Sequence, residues 1–276
     1  MNEATVANFR IFAQLIEHGG YHTYNRFRTE RLLRRLHQRR HTEGYSNAHI
    51  IDISHDIPSF DISVASFCLK NVYKDFPEGS IHIIGVAPSA DEYTLHLAIE
   101  KDGHFFIGAD NGIFSLLFDT PADKIFSIKT GDRKVSKTFP TKDLFVWTAA
   151  HLAKGGKIEE LGDPVEKVRE RINFRAISEG NIIKGMVTYI DSYGNVITNI
   201  SKKLFIEVAQ KRTFAIIFRR ADYTIEEICF NYNEVPEGER LALFSSSGFL
   251  EIAINKGHAS SLFGLKLNDT VRVEFF

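Results

Sequence analysis

Carboxylates and imidazoles are concentrated in one short stretch of the chain, at Asp52, His55, Asp56 and Asp61. Oxygen and imidazole ligands of this kind suit a divalent metal ion, but their spacing matches no established ligand pattern. The alternative interpretation is structural, because side chains such as those of Asp56 and Ser59 serve in turns and helix caps. We favour the structural interpretation and expect no metal site.

A second polar stretch, Gly108-Ala109-Asp110-Asn111-Gly112, predicts a turn in which the backbone approaches another group closely. A single glycine-rich turn is weak evidence for phosphate binding. The sequence contains no Gly-x-Ser-x-Gly turn, no phosphate-binding loop that ends in Gly-Lys-Ser/Thr, and no Cys-x-x-Cys pair. The usual signatures of nucleophilic hydrolases and nucleotide-binding proteins are therefore absent, and the catalytic residues stay unknown.

The elements that would position such side chains change in character along the chain. Strand-like and helix-like patterns alternate over 46–165, with a helix at Phe60–Phe76, a hairpin turn at Asp102-Gly103 and a helix at Thr141–Lys154. Strands that alternate with helices predict a layered α/β domain.

Residues 166–179 are predicted to form a linker to a second domain with a different sequence pattern. Residues 180–276 contain short apolar runs separated by turn residues, among them Phe214–Phe218 and Thr270–Phe275. Short strands of this kind predict a mostly-β domain, either a small barrel or a sandwich. The predicted fold class is therefore α/β plus β.

Composition limits the class of protein. The chain has 276 residues, of which 43% are hydrophobic and 25% charged, and its net charge is -1. These values are typical of a globular protein and give no electrostatic reason to bind nucleic acid or an anionic membrane. No apolar run reaches the roughly 18 residues of a membrane-spanning helix. Two cysteines are too few for a disulfide framework, so we expect a cytoplasmic protein.

Residues 1–45 differ from the rest of the chain, because they contain eight arginines and no lysine. An Arg-rich helical arm could contact nucleic-acid phosphates. A basic helical run is more often a solvated surface, so nucleic acid is not expected as a partner.

Several motifs occur in order between residues 46 and 276. They are Ile50-Ile51-Asp52-Ile53-Ser54-His55-Asp56-Ile57-Pro58, Gly108-Ala109-Asp110-Asn111-Gly112, Thr138-Phe139 with Asp143, Tyr189-Ile190-Asp191-Ser192-Tyr193-Gly194-Asn195, Val235-Pro236-Glu237-Gly238-Glu239 and Ser246-Ser247-Gly248-Phe249-Leu250-Glu251-Ile252-Ala253. This ordered set resembles the S-adenosylmethionine (SAM) hydroxide adenosyltransferases, relatives of the SAM-dependent fluorinase and chlorinase. The resemblance implies a Rossmann-like N-terminal domain, a β-barrel C-terminal domain, and a homotrimer that holds SAM between one subunit's first domain and a neighbour's second.

The resemblance also implies a reaction and a set of binding residues. In such proteins water or a halide attacks C5′ of the ribose and expels methionine, so SAM is the substrate or ligand and no separate cofactor is expected. Asp191 would hold the methionine ammonium, Ser246 its carboxylate and Asn195 the adenine edge, with Tyr193 and Tyr232 as apolar walls. Taken alone, Asp191 and Asn195 are better explained by a hairpin turn around Gly194, and Ser246 by a backbone contact. The implied binding set also includes Ser247, Thr138 and Phe139.

The chain departs from the family where the water is activated. Family hydrolases carry an Asp in an Asp-Pro-Gly-Val-Gly pattern, an Arg a few residues later and a His in Thr-Phe-His-Gly-Arg-Asp. Here Ala87, Thr94 and Pro140 stand at those positions. None of them can accept or relay a proton, and loss of general-base assistance costs about 10²- to 10⁴-fold in rate. Two functions therefore stay open: an impaired SAM hydrolase, and a non-catalytic SAM- or adenosine-binding protein.

The family's first strand and helix, with patterns like Thr-Thr-Asp-Phe-Gly and Met-Lys-Gly-Ala-Ile, have no counterpart in residues 1–45. Synonymous codons for Tyr21–Leu36, read one base later, permit Ile-Ile-Leu-Thr-Thr-Asp-Phe-Gly-Leu-Asn-Asp-Tyr-Tyr-Val-Ala-Ser. We therefore hypothesise that residues 1–45 are an out-of-frame translation of the family's N-terminus. A single insertion or deletion near Gly44–Ser46 would restore the frame.

Overall fold

The structure, a computed structural model, describes residues 51–54, 57–88, 93–131, 135, 140–172 and 174–276. The Arg-rich segment 1–45 and its hypothetical frame shift lie outside the described residues. So do the predicted ligand residues Thr138 and Phe139, and His55 and Asp56 of the acidic stretch.

The chain divides into two compact units, Met1–Ile172 and Asn173–Phe276. Within the predicted linker 166–179, Ile177–Glu179 form a strand that pairs with the sheet of the second unit. The predicted domain limits, 46–165 and 180–276, stay predictions. In the described part of the chain, no helix has the length and apolar character needed to cross a membrane.

A mixed sheet forms the centre of the first unit. Its strands are β1 (Ile81–Ile83), β2 (His96–Lys101), β3 (His104–Ala109) and β4 (Lys124–Ser127). The described strands lie in the order β1-β3-β2-β4, with β1 parallel to β3 and β2 antiparallel to both of its neighbours. The hairpin predicted at Asp102-Gly103 is confirmed, and these residues have the positive φ angles, 51° and 77°, that a tight hairpin turn requires.

Helix α1 (Ile62–Lys70) is shorter than the predicted helix Phe60–Phe76, and a separate 3₁₀ turn at Tyr73–Asp75 follows it. Asp61 is its N-cap, because the Asp61 carboxylate accepts two backbone amides of the first turn at 3.0 Å each. The structural interpretation therefore holds for Asp61. A second short helix, α2 (Ile113–Leu117), follows β3.

The helix predicted at Thr141–Lys154 is present in two parts, a π-helical turn (Thr141–Phe145) and α3 (Val146–Ala153). Both parts pack apolar side chains against the sheet, and Phe145 and Ile107 are fully buried in this core. The combination of sheet and packed helices confirms the α/β part of the predicted fold class.

The second unit is built mainly of strands. They are β5 (Ile177–Glu179), β6 (Ile182–Ile190), β7 (Val196–Ser201), β8 (Phe214–Phe218), β9 (Arg220–Ile225), β10 (Arg240–Phe244), β11 (Phe249–Ile254) and β12 (Thr270–Phe275). Seven of them follow the order β10-β11-β7-β6-β12-β8-β9, and β5 pairs with β6 beside this path. Arg240 Nε donates to the Thr224 carbonyl at 3.0 Å between the two end strands. The predicted barrel is therefore confirmed as a nearly closed, barrel-like sheet.

The interior of this sheet is apolar. Side chains alternate along a strand, so that Ile252 and its even-numbered neighbours on β11 face the core. Helices α4 (Lys202–Ala209) and α5 (Ala259–Phe263) add Phe205 and Phe263 to the same core.

The outer face of β10 and β11 carries a second, smaller apolar cluster of Leu241, Leu243 and Ala253. Cys229 and Val235, from the connection between β9 and β10, pack against it. This connection therefore covers part of the outer face, and the candidate site lies beside it.

Candidate functional site

The turn between β6 and β7 holds two predicted ligand residues against each other. Asp191 Oδ1 accepts the backbone amides of Tyr193 at 2.9 Å and Asn195 at 2.8 Å, and Asp191 Oδ2 accepts the Asn195 side-chain amide at 3.0 Å. A carboxylate offers about four lone-pair positions. These three bonds therefore leave room on Oδ2 for one further donor, such as a ligand ammonium.

Gly194 gives this turn its shape. Its φ is +78°, and a Cβ at this position would lie 2.1 Å from His258 Nδ1. The Gly194 amide donates to the Asp191 carbonyl oxygen at 3.0 Å. The hairpin-turn interpretation of Asp191 and Asn195 is thus confirmed, while their role in ligand binding stays a prediction.

A buried acid that sequence analysis did not single out lies near this turn. Glu251 on β11 is 3% exposed, and it accepts a hydrogen bond from the Tyr232 hydroxyl at 2.6 Å. Burial and then the negative charge of Asp191 raise the pKa of Glu251, whereas the Tyr232 bond lowers it. The only sequence signal was a single acid within the apolar run Phe249–Ile254.

Tyr232, a predicted ligand wall, belongs to the same cluster. Burial, the bond to Glu251, and the charges of Glu251 and Asp191 all raise the pKa of the Tyr232 hydroxyl. The hydroxyl therefore stays protonated and donates. The register of β11 against β7 places Glu251 opposite Ile197, two residues from Asn195, so the Glu251–Tyr232 pair lies close to the Asp191–Asn195 turn.

Ser246 and Ser247 lie elsewhere, in the hairpin turn between β10 and β11. Strand pairing places Ile252 opposite Val196, directly beside Asn195. The hairpin turn precedes β11 and lies about four residues before Ile252, roughly 13 Å away at about 3.3 Å per residue. Ser246 and Asn195 therefore lie toward opposite ends of β11, and a shared role in binding one ligand stays a prediction.

Of the three positions at which the resemblance expects water-activating residues, Ala87 and Thr94 lie at one edge of the first unit's sheet, where β1 and β3 end and β2 begins. Ala87 has a φ of +46°, a left-handed conformation that Asp and Asn adopt more readily than most residues. Thr94 Oγ1 is buried and has no hydrogen-bond partner among the described residues. Pro140 precedes the π-helical turn. None of these three side chains can accept a proton from water.

The Asn111 side chain binds the backbone of the loop that follows β1. Asn111 Nδ2 donates to the carbonyl oxygens of Val86 and Ala87, at 3.0 Å each. The neighbouring Asp110 accepts the Arg169 amide at 2.7 Å, and burial raises the pKa of Asp110 against the opposing effect of Arg169. The Asp110 and Asn111 side chains of the glycine-rich turn therefore bind backbone groups of neighbouring segments.

His96 is a described imidazole at the same edge. His96 Nε2 lies 2.8 Å from the Pro88 carbonyl oxygen, which can only accept, so Nε2 donates and Nδ1 carries the lone pair. Burial lowers the pKa of His96, so the ring is neutral at pH 7. No group of three or more His, Cys, Asp or Glu side chains within the described ranges could hold a metal ion.

Comparison with known proteins decides the family. The family model of the SAM hydroxide adenosyltransferase N-terminal domain matches residues 41–162, and the model of the C-terminal domain of that family matches residues 185–272. The chain belongs to the SAM hydroxide adenosyltransferase family. The family expected from the motifs is therefore confirmed.

Individual relatives agree with this assignment. The chain is 31% identical over 241 residues to the (R)-S-adenosyl-L-methionine hydrolase of Thermus thermophilus, covering 81% of this chain and 87% of the relative. It is also 31% identical over 236 residues to the enzyme of the same name from Methanocaldococcus jannaschii, covering 82% of this chain and 83% of the relative. An uncharacterized conserved protein from Thermotoga maritima has the same fold, with a TM-score of 0.84 at 24% identity over 95% of this chain and 99% of that one.

Proposed function

We propose that the protein binds SAM and hydrolyses it to adenosine and methionine at a rate lowered by the loss of the family's water-activating side chains. The observation that carries this proposal is the ordered turn in which Asp191 and Asn195 are bonded to each other, two residues from the strand position opposite Glu251, the partner of Tyr232. Two relatives are named as (R)-SAM hydrolases, so both sulfonium epimers of SAM belong in the assay.

The reaction needs an acceptor for one proton of the attacking water but no general acid for the leaving group. The water oxygen bonds to C5′, the C5′–sulfur bond breaks with its electron pair going to sulfur, and the water loses one proton. Methionine leaves as a neutral thioether and needs no protonation. The protein must hold the water in line with the breaking bond and accept its proton.

A second candidate is a non-catalytic SAM- or adenosine-binding protein. Ala87, Thr94 and Pro140 favour it, because none of them offers a proton acceptor where the resemblance places the attacking water. The two candidates predict the same ligand and differ only in turnover.

Product analysis separates them. Purified protein is incubated with each SAM epimer, adenosine and methionine are measured by chromatography, and adenosine binding is measured by calorimetry. The matched variant carries Ala87→Asp, Thr94→Arg and Pro140→His together. We expect adenosine binding in both proteins, and adenosine formation about 10²- to 10⁴-fold faster in the variant.

Each result has a clear meaning. Absence of binding of SAM and adenosine to the native chain would contradict the proposed function. Equal rates of adenosine formation in the two proteins would contradict the proposed impairment. Binding without any adenosine formation by the native chain would favour the non-catalytic candidate.

The resemblance supports further proposals about assembly and location. We propose a Rossmann-like arrangement for the first domain and a homotrimer with the ligand between subunits. Sedimentation velocity tests the trimer. The cytoplasmic location stays a prediction from cysteine content, and SAM or adenosine is the only small-molecule partner proposed.

A further inference from the structure

Glu251 is an unusual residue for its surroundings. It lies on the outer face of β11 beside the apolar cluster of Leu241, Leu243 and Ala253, and it is 3% exposed. A buried carboxyl group is costly unless a specific donor satisfies it. The donor is the Tyr232 hydroxyl at 2.6 Å, a short distance for such a bond.

Tyr232 begins a 3₁₀ turn, Tyr232–Glu234, in the connection that covers this face. The two ends of that covering segment are attached to the sheet through its backbone. The Cys229 amide donates to the Ala242 carbonyl at 2.7 Å, and Asn255 Nδ2 donates to the Val235 carbonyl at 2.7 Å. The Tyr232–Glu251 bond adds a side-chain attachment between these two points.

The ring of Tyr232 is incompletely covered. The residue is 40% exposed, although its hydroxyl is bonded to a buried acid. Strand pairing places Glu251 opposite Ile197, two residues along the chain from Asn195, and the Tyr232 hydroxyl is bonded to Glu251, so the polar end of the ring lies near the Asp191–Asn195 turn. An aromatic ring fixed at its polar end and open along its side can serve as a wall for a flat ligand group.

We propose that Glu251 is a positioning residue for the adenosyl ligand, because it fixes the Tyr232 ring near the Asp191–Asn195 turn before the ligand binds. This inference rests on the proposed function. The advantage is preorganisation: a side chain that is already ordered loses little conformational entropy when the ligand binds.

Four variants test this role by calorimetry with adenosine as the probe. Glu251→Gln keeps a carbonyl acceptor of the same shape, whereas Glu251→Leu removes the acceptor. Tyr232→Phe removes the donor, and the double variant combines Tyr232→Phe with Glu251→Leu. Glu274→Leu, a strand glutamate of β12, controls for the general effect of replacing a barrel glutamate by leucine.

We expect Glu251→Leu to weaken adenosine binding by about tenfold, the value of one typical hydrogen bond. Glu251→Gln should stay within about twofold of the native affinity, because the acceptor is retained. The double variant should bind no more weakly than the weaker single variant, since Glu251 acts through Tyr232. Native affinity in Glu251→Leu, equal losses in Glu251→Gln and Glu251→Leu, or additive losses in the double variant would overturn the proposal.

A ligand-free measurement keeps this inference separate from the proposed function. Hydrogen exchange is followed on the amides of residues 228–235 in each variant. Glu251→Leu should speed exchange there by several-fold, while Glu251→Gln and Glu274→Leu should not. If the native protein binds neither adenosine nor SAM, the proposed function fails. Independently of ligand binding, an unchanged rate of amide exchange at residues 228–235 in Glu251→Leu would overturn the claim that Glu251 holds Tyr232 in place.

Discussion

A buried histidine predicts how the first unit responds to acid. His82 lies in the middle of β1 and is 0% exposed. Its Nε2 is 3.3 Å from His104 Nδ1, and its ring stacks on Phe106 at 4.8 Å between centroids. Its Nδ1 is buried and has no partner among the described residues. Burial, and secondarily the neighbouring His104, lower the pKa of His82 from 6.5 to about 3.

This shift determines the sign of the pH dependence. The unfolded chain binds a proton at His82 below about pH 6.5, whereas the folded chain excludes it until about pH 3. The stability contributed by neutral His82 is thus complete above pH 6.5 and is lost progressively as pH falls from 6.5 to about 3. At about 1.36 kcal/mol per pH unit, His82 alone costs about 2 to 3 kcal/mol at pH 4.5. Burial also lowers the pKa of His104, which acts in the same direction.

His82→Phe is the test, because phenylalanine keeps an aromatic ring against Phe106 and cannot titrate. Trp147, the single tryptophan of the chain, lies in the first unit, so its fluorescence reports urea unfolding of that unit. The free energy of unfolding is measured from about pH 7.5 to about pH 4.5, spanning the ordinary His pKa. His258→Gln removes an exposed imidazole from the second unit and serves as the control.

The comparison depends on slopes, so a constant loss of stability in the variant does not affect it. We expect the native curve to fall more steeply below pH 6.5 than the curve of His82→Phe, by about 1 kcal/mol or more per pH unit. Parallel curves for the two proteins over the whole range would refute the reasoning.

Three further predictions concern other parts of the chain. Burial raises the pKa of Glu251 above its ordinary 4.5, so the native protein should lose stability as pH rises from 4.5 through the raised value. Thermal unfolding should therefore show the stability of Glu251→Gln rising relative to that of the native protein from pH 4.5 to pH 7. A difference between the two proteins that stays constant with pH would contradict this. Gly194→Ala should destabilise the protein by about 1 to 2 kcal/mol in urea unfolding, because its φ is +78° and His258 occupies the Cβ position; native stability would exclude the strain argument. Nucleotide sequencing should show CGA codons for Arg26 and Arg31, and other codons would rule out the frame-shift hypothesis.

The strands of the second unit were predictable because side-chain alternation is a local signal. Phe214–Phe218 and Thr270–Phe275 have the predicted bounds, since each has one face in the barrel core. The predicted helix Phe60–Phe76 was too long, because apolar periodicity does not distinguish an α-helix from the 3₁₀ turn at Tyr73–Asp75 that follows it.

Contacts between distant segments were not predictable in this way. Glu251 was missed because an acid on the outer face of a strand is expected to be solvated, and the segment that covers it lies 19 positions away at Tyr232. His82 and His104 meet because β1 and β3 pair in parallel, and no local pattern indicates that register. The Asp191–Asn195 turn was predictable from the residues that bracket Gly194, but neither they nor the motif order could show that Ser246 lies at the other end of β11.

At Ala87, where the chain departs from the family pattern, the backbone is held independently of the side chain. The Ala87 carbonyl is held by Asn111, and the bond does not depend on the side chain at position 87. Ala87 has a left-handed φ of +46°, which Asp tolerates better than Ala. Ala87→Asp alone should therefore leave thermal stability unchanged or slightly raised, and a clear loss would show that the loop has adapted to alanine. Unchanged thermal stability would indicate that the loop accepts an aspartate at position 87, so that a proton acceptor can be restored there by substitution alone.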